Sequence, residues 1–173
     1  MYKLEQEGVK VFPQAHIIEL IQDKGLQKEF YLKNNIPTSP CTLINNSSEL
    51  ATIDWAFPCI QKLRKGGYVG KGVQKLNSKS NLNDAFNAPS ILEDLIDFSK
   101  ELSVIVARNE KGEIKTFPTV EQEFNSEANL VEFLFSPADV TNEIEQEAQH
   151  IATAIIEKLE MVVLLAVELF LTK

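Results

Sequence analysis

Apolar residues recur at helical spacing in two stretches of the chain and in short or alternating runs elsewhere. The first stretch carries Ile17, Ile18, Leu20 and Ile21, then Leu26, Phe30 and Tyr31, and predicts helix from about 14 to 34 with a break or kink at Gly25. Ile36-Pro37-Thr38-Ser39-Pro40 ends it, because proline lacks an N–H and restricts the residue before it. The second stretch places Ile144, Ala148, Ile151, Ala152, Ile155, Ile156 and Leu159 on one stripe. Thr141 can cap that helix, and Glu143, Glu145 and Glu147 suit its N-terminal dipole.

Strands are predicted over 41–44, 58–63 and 73–76, with a short helix through Ala51 to Trp55 after the cap cluster Asn46-Ser47-Ser48. Further on, 102–108 and 114–120 form a hairpin about Asn109-Glu110-Lys111-Gly112-Glu113. Strands follow over 130–135 and 162–171, the last apolar except for Glu168 and expected to be buried. The class is α+β, with strands and helices in two groups that divide near residue 88. A chain that stops directly after such a strand is expected to be an excised piece of a longer protein.

Composition sharpens one feature. The chain is acidic, with net charge -8, yet Trp55 to Asn83 contains no Asp or Glu and six Lys or Arg. An even spread of acids would put about four in that window. Four of the seven glycines, Gly66, Gly67, Gly70 and Gly72, fall inside it. The loop lacks the Gly-Lys-Ser/Thr of a P-loop and the third glycine of a dinucleotide fingerprint. What remains is Gly-Gly-x-x-Gly-x-Gly between two strands, where bare amides can face a phosphate. A hairpin tip with solvated lysines is the alternative.

The acidic balance argues against general nucleic-acid binding. Residues Met1 to Glu7 carry no apolar leader segment, and the longest apolar run, Met161 to Val167, is too short to span a bilayer. No membrane partner is expected. Cys41 and Cys59 form no CxxC pair and read as reduced thiols of a cytoplasmic protein. His16 and His150 match no metal-ligand spacing. Glu168 interrupts an apolar strand. It is either a paired, protonated or Mg²⁺-binding carboxylate, or it faces solvent on the alternate side. Glu93, Glu101 and Lys24 are each either ligand-facing or ordinary solvated side chains at this level.

The order of several segments is more specific than any one of them. Asp23-Lys24 precedes a helix and Ile36-Pro37-Thr38. Lys62 and Gly66 to Gly72 follow, then Glu93-Asp94-Leu95-Ile96-Asp97-Phe98, the run Glu101 to Arg108, Phe117-Pro118 and Ala166-Val167-Glu168-Leu169-Phe170. From about Leu4 to Leu171 the chain resembles the ATP-grasp domain of the 5-(carboxyamino)imidazole ribonucleotide synthetase family. The resemblance implies two α+β lobes, truncated, with a nucleotide cleft between them. It implies the end of a linker over 1–13, a small lobe over 14–88 and a large lobe over 89–173.

ATP and Mg²⁺ are the implied cofactors. Lys24 and Lys62 would contact phosphate or base, and Gly67, Tyr68, Val69, Gly70, Lys71, Gly72 and Val73 would fold over the phosphates. Glu93, Asp94, Leu95 and Ile96 would hold the adenine, Glu101 the ribose and Glu168 the Mg²⁺. The implied reaction carboxylates 5-aminoimidazole ribonucleotide with bicarbonate through carboxyphosphate, in a cytoplasmic purine-biosynthetic ligase whose full-length form is a homodimer. Val69 stands where the family carries an acid, and Phe124 where it carries a histidine. The Asn-Glu segment expected after the last strand is absent, so the chain alone is expected to be inactive. The competing expectations are another ATP-grasp carboxylate ligase and a non-catalytic nucleotide-binding module.

Overall fold

A computed structural model describes residues 1–67, 71–125 and 130–173, with the side chains of 81, 82 and 125 left aside. The chain forms two compact units, Leu20–Ile96 and Met1–Glu19 with Asp97–Lys173.

The first unit holds a four-stranded antiparallel sheet in the order β1-β4-β2-β3, built from β1 (Cys41–Ile44), β2 (Cys59–Leu63), β3 (Val73–Leu76) and β4 (Ser90–Asp94). β4 lies between β1 and β2, so both its edges are paired: Glu93 stands opposite Cys41 on one side and Ile60 on the other. The expected division near residue 88 falls just before this strand, whose hydrogen bonds all run back to the earlier ones. One face of the sheet buries Ile44, Cys59, Leu76 and Leu92 together with Leu50, and Ile53, Trp55, Phe57 and Ala85 pack against them. Gln61 is buried on that face, where it donates to the Phe86 carbonyl, accepts from the Phe86 amide and receives a hydrogen bond from Gln74 at 2.7 Å.

The expected helix over 14–34 is two helices, α2 (Ala15–Gln22) and α3 (Lys24–Lys33), which follow α1 (Tyr2–Gln6). The break falls at Asp23, not at Gly25. Asp23 is extended and its carboxylate accepts from the amides of Gly25 and Leu26, which makes it the N-cap of α3. The short helix expected through Trp55 is a 3₁₀ turn over Ser47–Ala51, capped by Asn46.

In the second unit, β5 (Phe98–Arg108) is central. It pairs along its length with β9 (Val163–Thr172), and its other edge pairs with β6 (Ile114–Thr116) and β7 (Val120–Asn125). β8 (Leu130–Phe135) continues from β7. The strand expected over 114–120 is thus two strands, interrupted at Phe117-Pro118-Thr119, where proline offers no amide to a ladder. α4 (Asn142–Leu159) begins at Thr141, as its sequence indicates, and buries Ala148, Ala152, Ile155, Ile156 and Leu159. The face of β5 that carries the buried residues Leu102, Val104 and Val106 is the one that α4 packs against.

β9 is not the buried strand expected from its composition. Its residues alternate, with Val167 buried and Val163, Leu164, Glu168 and Phe170 exposed. A strand has two faces, however apolar its sequence, and only one face of β9 meets a helix. Among the described residues, no helix is long and apolar enough to cross a membrane.

Candidate functional site

The glycine loop leaves β2 and returns as β3, and the two strands pair antiparallel with Lys62 opposite Val73. The foot of the loop is closed by a hydrogen bond from the Leu63 amide to the Gly72 carbonyl at 2.8 Å. Gly66 and Gly72 both have positive φ. A Cβ on Gly72 would lie 2.9 Å from the Gly67 Cα, so two glycines let the two sides of the loop touch. Tyr68, Val69 and Gly70, expected over the phosphates, lie outside the described residues.

Beside this foot is a buried charge cluster. Glu93 projects from the central strand, 5% exposed, onto the face opposite the apolar core. Lys28 Nζ lies 2.7 Å from Glu93 Oε1 and Lys62 Nζ 2.5 Å from Oε2. Lys28 comes from α3 and also donates to Thr38 Oγ1, Ser39 Oγ and the Ser39 carbonyl at 2.5, 2.8 and 3.2 Å. Its side chain is 10% exposed, against 27% for Lys62. Burial pushes the Glu93 carboxyl up, but the Lys62 charge and hydrogen bonds from both lysines outweigh it and hold the group below its ordinary range. Two cations therefore face one carboxylate, and the surplus positive charge emerges at Lys62.

A second pair flanks the first. Arg64 binds Asp23 through Nε and Nη2 at 2.8 and 2.9 Å, and its guanidinium passes so close to Gly25 that any Cβ there would lie 2.6 Å from Nε. Burial raises the Asp23 carboxyl, and the Arg64 hydrogen bond with those of Gly25 and Leu26 more than reverses it. The Lys24 amide donates to the Arg64 carbonyl at 3.0 Å, which ties the start of α3 to the exit of β2. Asp94 lies on the sheet face opposite Glu93, and Leu95 and Ile96 follow outside any strand.

In the second unit, Glu101 and Glu168 come together. Glu168 stands opposite Ser103 and Phe170 opposite Glu101, so the two acids share the sheet face away from α4. They are diagonal neighbours on adjacent strands, a relation of about 7–8 Å. Glu168 is exposed there. Phe98 and Phe170 stack beside them, with ring centroids 4.5 Å apart.

Lys24, Lys62, Gly67, Lys71, Gly72, Val73, Glu93, Asp94, Leu95 and Ile96 thus fall in one unit, and Glu101 and Glu168 in the other. The sequence reading missed Lys28, Asp23 and Arg64 as members of the charged cluster. Lys28 shares a buried helical face with Gly25, three residues before it, but Leu32, four residues after it, is exposed, so the apolar pattern does not mark Lys28 as buried.

The ATP-grasp domain profile matches residues 29–173. The chain belongs to the ATP-grasp domain family. Among curated relatives, the N5-carboxyaminoimidazole ribonucleotide synthase of Synechococcus elongatus is 31% identical over 97% of this chain and 44% of its own length. Among solved structures, the N5-carboxyaminoimidazole ribonucleotide synthetase of Thermotoga maritima is 37% identical with a TM-score of 0.83, covering 99% of this chain and 44% of that one. The Aspergillus clavatus synthase, solved with ADP and 5-aminoimidazole ribonucleotide, is 27% identical with a TM-score of 0.88, covering 99% of this chain and 46% of that one. This ATP-grasp chain spans less than half the length of these relatives.

Proposed function

We propose that the chain is the nucleotide-binding part of an N5-carboxyaminoimidazole ribonucleotide synthetase of purine biosynthesis. The observation that carries the reading is the surplus positive charge at Lys62, set at the foot of a glycine loop in a segment free of carboxylates. A buried cluster with one cation in excess attracts an anion more strongly than a solvated lysine does. The glycine pair at the loop's foot permits close backbone approach, which suits phosphate oxygens.

Under this reading Lys24, Lys62 and Gly67 to Val73 serve the phosphates. Glu93 acts through Lys62, and the backbone from Glu93 to Ile96 serves the base. Glu101 accepts from the ribose hydroxyls. Glu168 is an exposed carboxylate next to Glu101 on an open sheet face, a donor set that suits a hard cation shared with phosphate oxygens. Mg²⁺ held there would neutralise charge on the phosphates. The two units correspond to the small and large lobes of the fold.

In the whole protein, a bicarbonate oxygen attacks the γ-phosphorus of ATP and ADP leaves. The exocyclic amine of 5-aminoimidazole ribonucleotide then attacks the carboxyphosphate carbon, and phosphate leaves. The chain's share is positioning and charge neutralisation. A cytoplasmic homodimer completes the proposal for the whole protein, and size-exclusion chromatography of the full-length form checks its subunit count.

Calorimetric titration with ADP tests the site. The chain should bind ADP, and Lys62→Ala should weaken binding with or without Mg²⁺. Glu168→Ala should weaken it only when Mg²⁺ is present. No binding by the unaltered chain, or none of these losses, refutes the reading.

A further inference from the structure

We propose that Lys28, which no nucleotide can reach, is a positioning residue that sets the charge presented by Lys62. The inference rests on the nucleotide reading above and adds a residue to it. Lys28 Nζ is enclosed by Glu93 Oε1, Thr38 Oγ1, Ser39 Oγ and the Ser39 carbonyl, a full set of partners for an ammonium. It therefore has no donor left for a ligand. What it does is engage one oxygen of Glu93 and leave the other for Lys62.

Two consequences follow from this arrangement. The first is geometric. With Oε1 held from α3, the carboxylate plane is fixed and Oε2 places the Lys62 ammonium at one point beside the loop foot. The second is electrostatic. With Lys28 present the triad carries one net positive charge, which appears at its more exposed end. Without Lys28, Glu93 and Lys62 would cancel, and the same lysine would face a phosphate as half of a neutral pair. A positioning role through charge predicts that phosphate-bearing ligands feel Lys28 and that a nucleoside does not.

The experiment compares ADP and adenosine binding by calorimetry to the chain and to Lys28→Met, Lys28→Gln and the double variant Lys28→Met with Glu93→Gln. Removing the charge in Lys28→Met should weaken ADP about ten-fold, the scale of one unit charge at a partly buried site, and leave adenosine unchanged. The double variant removes both the cation and the carboxylate, so Lys62 regains its full charge and ADP affinity should recover most of the loss. Equal losses for ADP and adenosine, or no recovery in the double variant, would make Lys28 a structural residue and overturn the proposal. Unchanged ADP binding in Lys28→Met, or in Lys28→Gln should the methionine variant fail to fold, would do the same. Failure of the unaltered chain to bind ADP is a separate result that overturns the nucleotide reading and this inference with it.

Discussion

Replacing Glu93 by glutamine removes the one carboxylate that Lys28 and Lys62 share. The substitution keeps the shape of the side chain and removes its charge. Lys62 loses an ion pair but can turn to water, because its side chain is already 27% exposed. Lys28 cannot, because it is enclosed by Thr38 and Ser39 at 10% exposure. Stripping one partner from a buried pair costs about 3–5 kcal/mol, since the other charge stays buried without compensation. That is a large part of the roughly 5–15 kcal/mol that separates a folded domain from its unfolded chain.

The lone tryptophan gives the assay. Trp55 packs against the core of this unit, so its fluorescence in urea reports the unit that holds Glu93. The midpoint for Glu93→Gln should fall at constant slope. The effect should also depend on pH with a definite sign. Glu93 titrates lower in the folded chain than in the unfolded one. Below its unfolded pKa, about 4.3, the unfolded chain binds the extra proton, and the advantage of the carboxylate declines as pH falls through the folded value. The stability gap between the unaltered chain and the Glu93→Gln variant should therefore be fullest near pH 7 and smaller near pH 3. A loss below about 1 kcal/mol at pH 7, or a gap that widens in acid, would refute the account of the triad.

Three other expectations can be checked alongside. Gly72→Ala puts a methyl 2.9 Å from the Gly67 Cα at a positive φ, so urea unfolding should show a loss of about 1–3 kcal/mol and ADP affinity should fall with it. Asp23→Ala removes the α3 cap and the Arg64 partner together. A loss of about 2–3 kcal/mol is expected by the same Trp55 assay, above the roughly 1 kcal/mol of a cap alone because the residue is buried. Thr141→Ala should cost no more than about 1 kcal/mol in thermal unfolding followed by circular dichroism at 222 nm, since its hydroxyl accepts from Ile144 at a long 3.5 Å.

Much of the backbone was legible because it obeys short-range rules. Thr141 and the stripe that follows it define α4, and Asn109 to Gly112 turns the β5–β6 hairpin. The errors have physical causes. Gly25 is the poorer helix former, yet it stays inside α3, and the break belongs to the side chain that can satisfy bare amides, Asp23. Its glycine serves the Arg64 guanidinium instead, a contact 39 residues along the chain. Glu93 could be either ligand-facing or solvated from its sequence neighbours alone; its burial is settled by Lys28 and Lys62, which only the fold brings near. The clustering of Glu101 and Glu168 depends on the register of β5 against β9, which a shift of one residue would destroy.

That register also governs how the molecule will handle at the bench. α4 shields one side of the β5–β9 ribbon, while the other side shows Ile105, Leu164 and Phe170 to water; β8 adds exposed Leu134 to that side and exposed Phe133 and Phe135 to the opposite one. Greasy area of that extent is uncommon on a monomer at rest. Concentrated stocks of the chain will therefore be sticky. They will light up hydrophobic dyes while still native, and will keep better with mild detergent than with added salt.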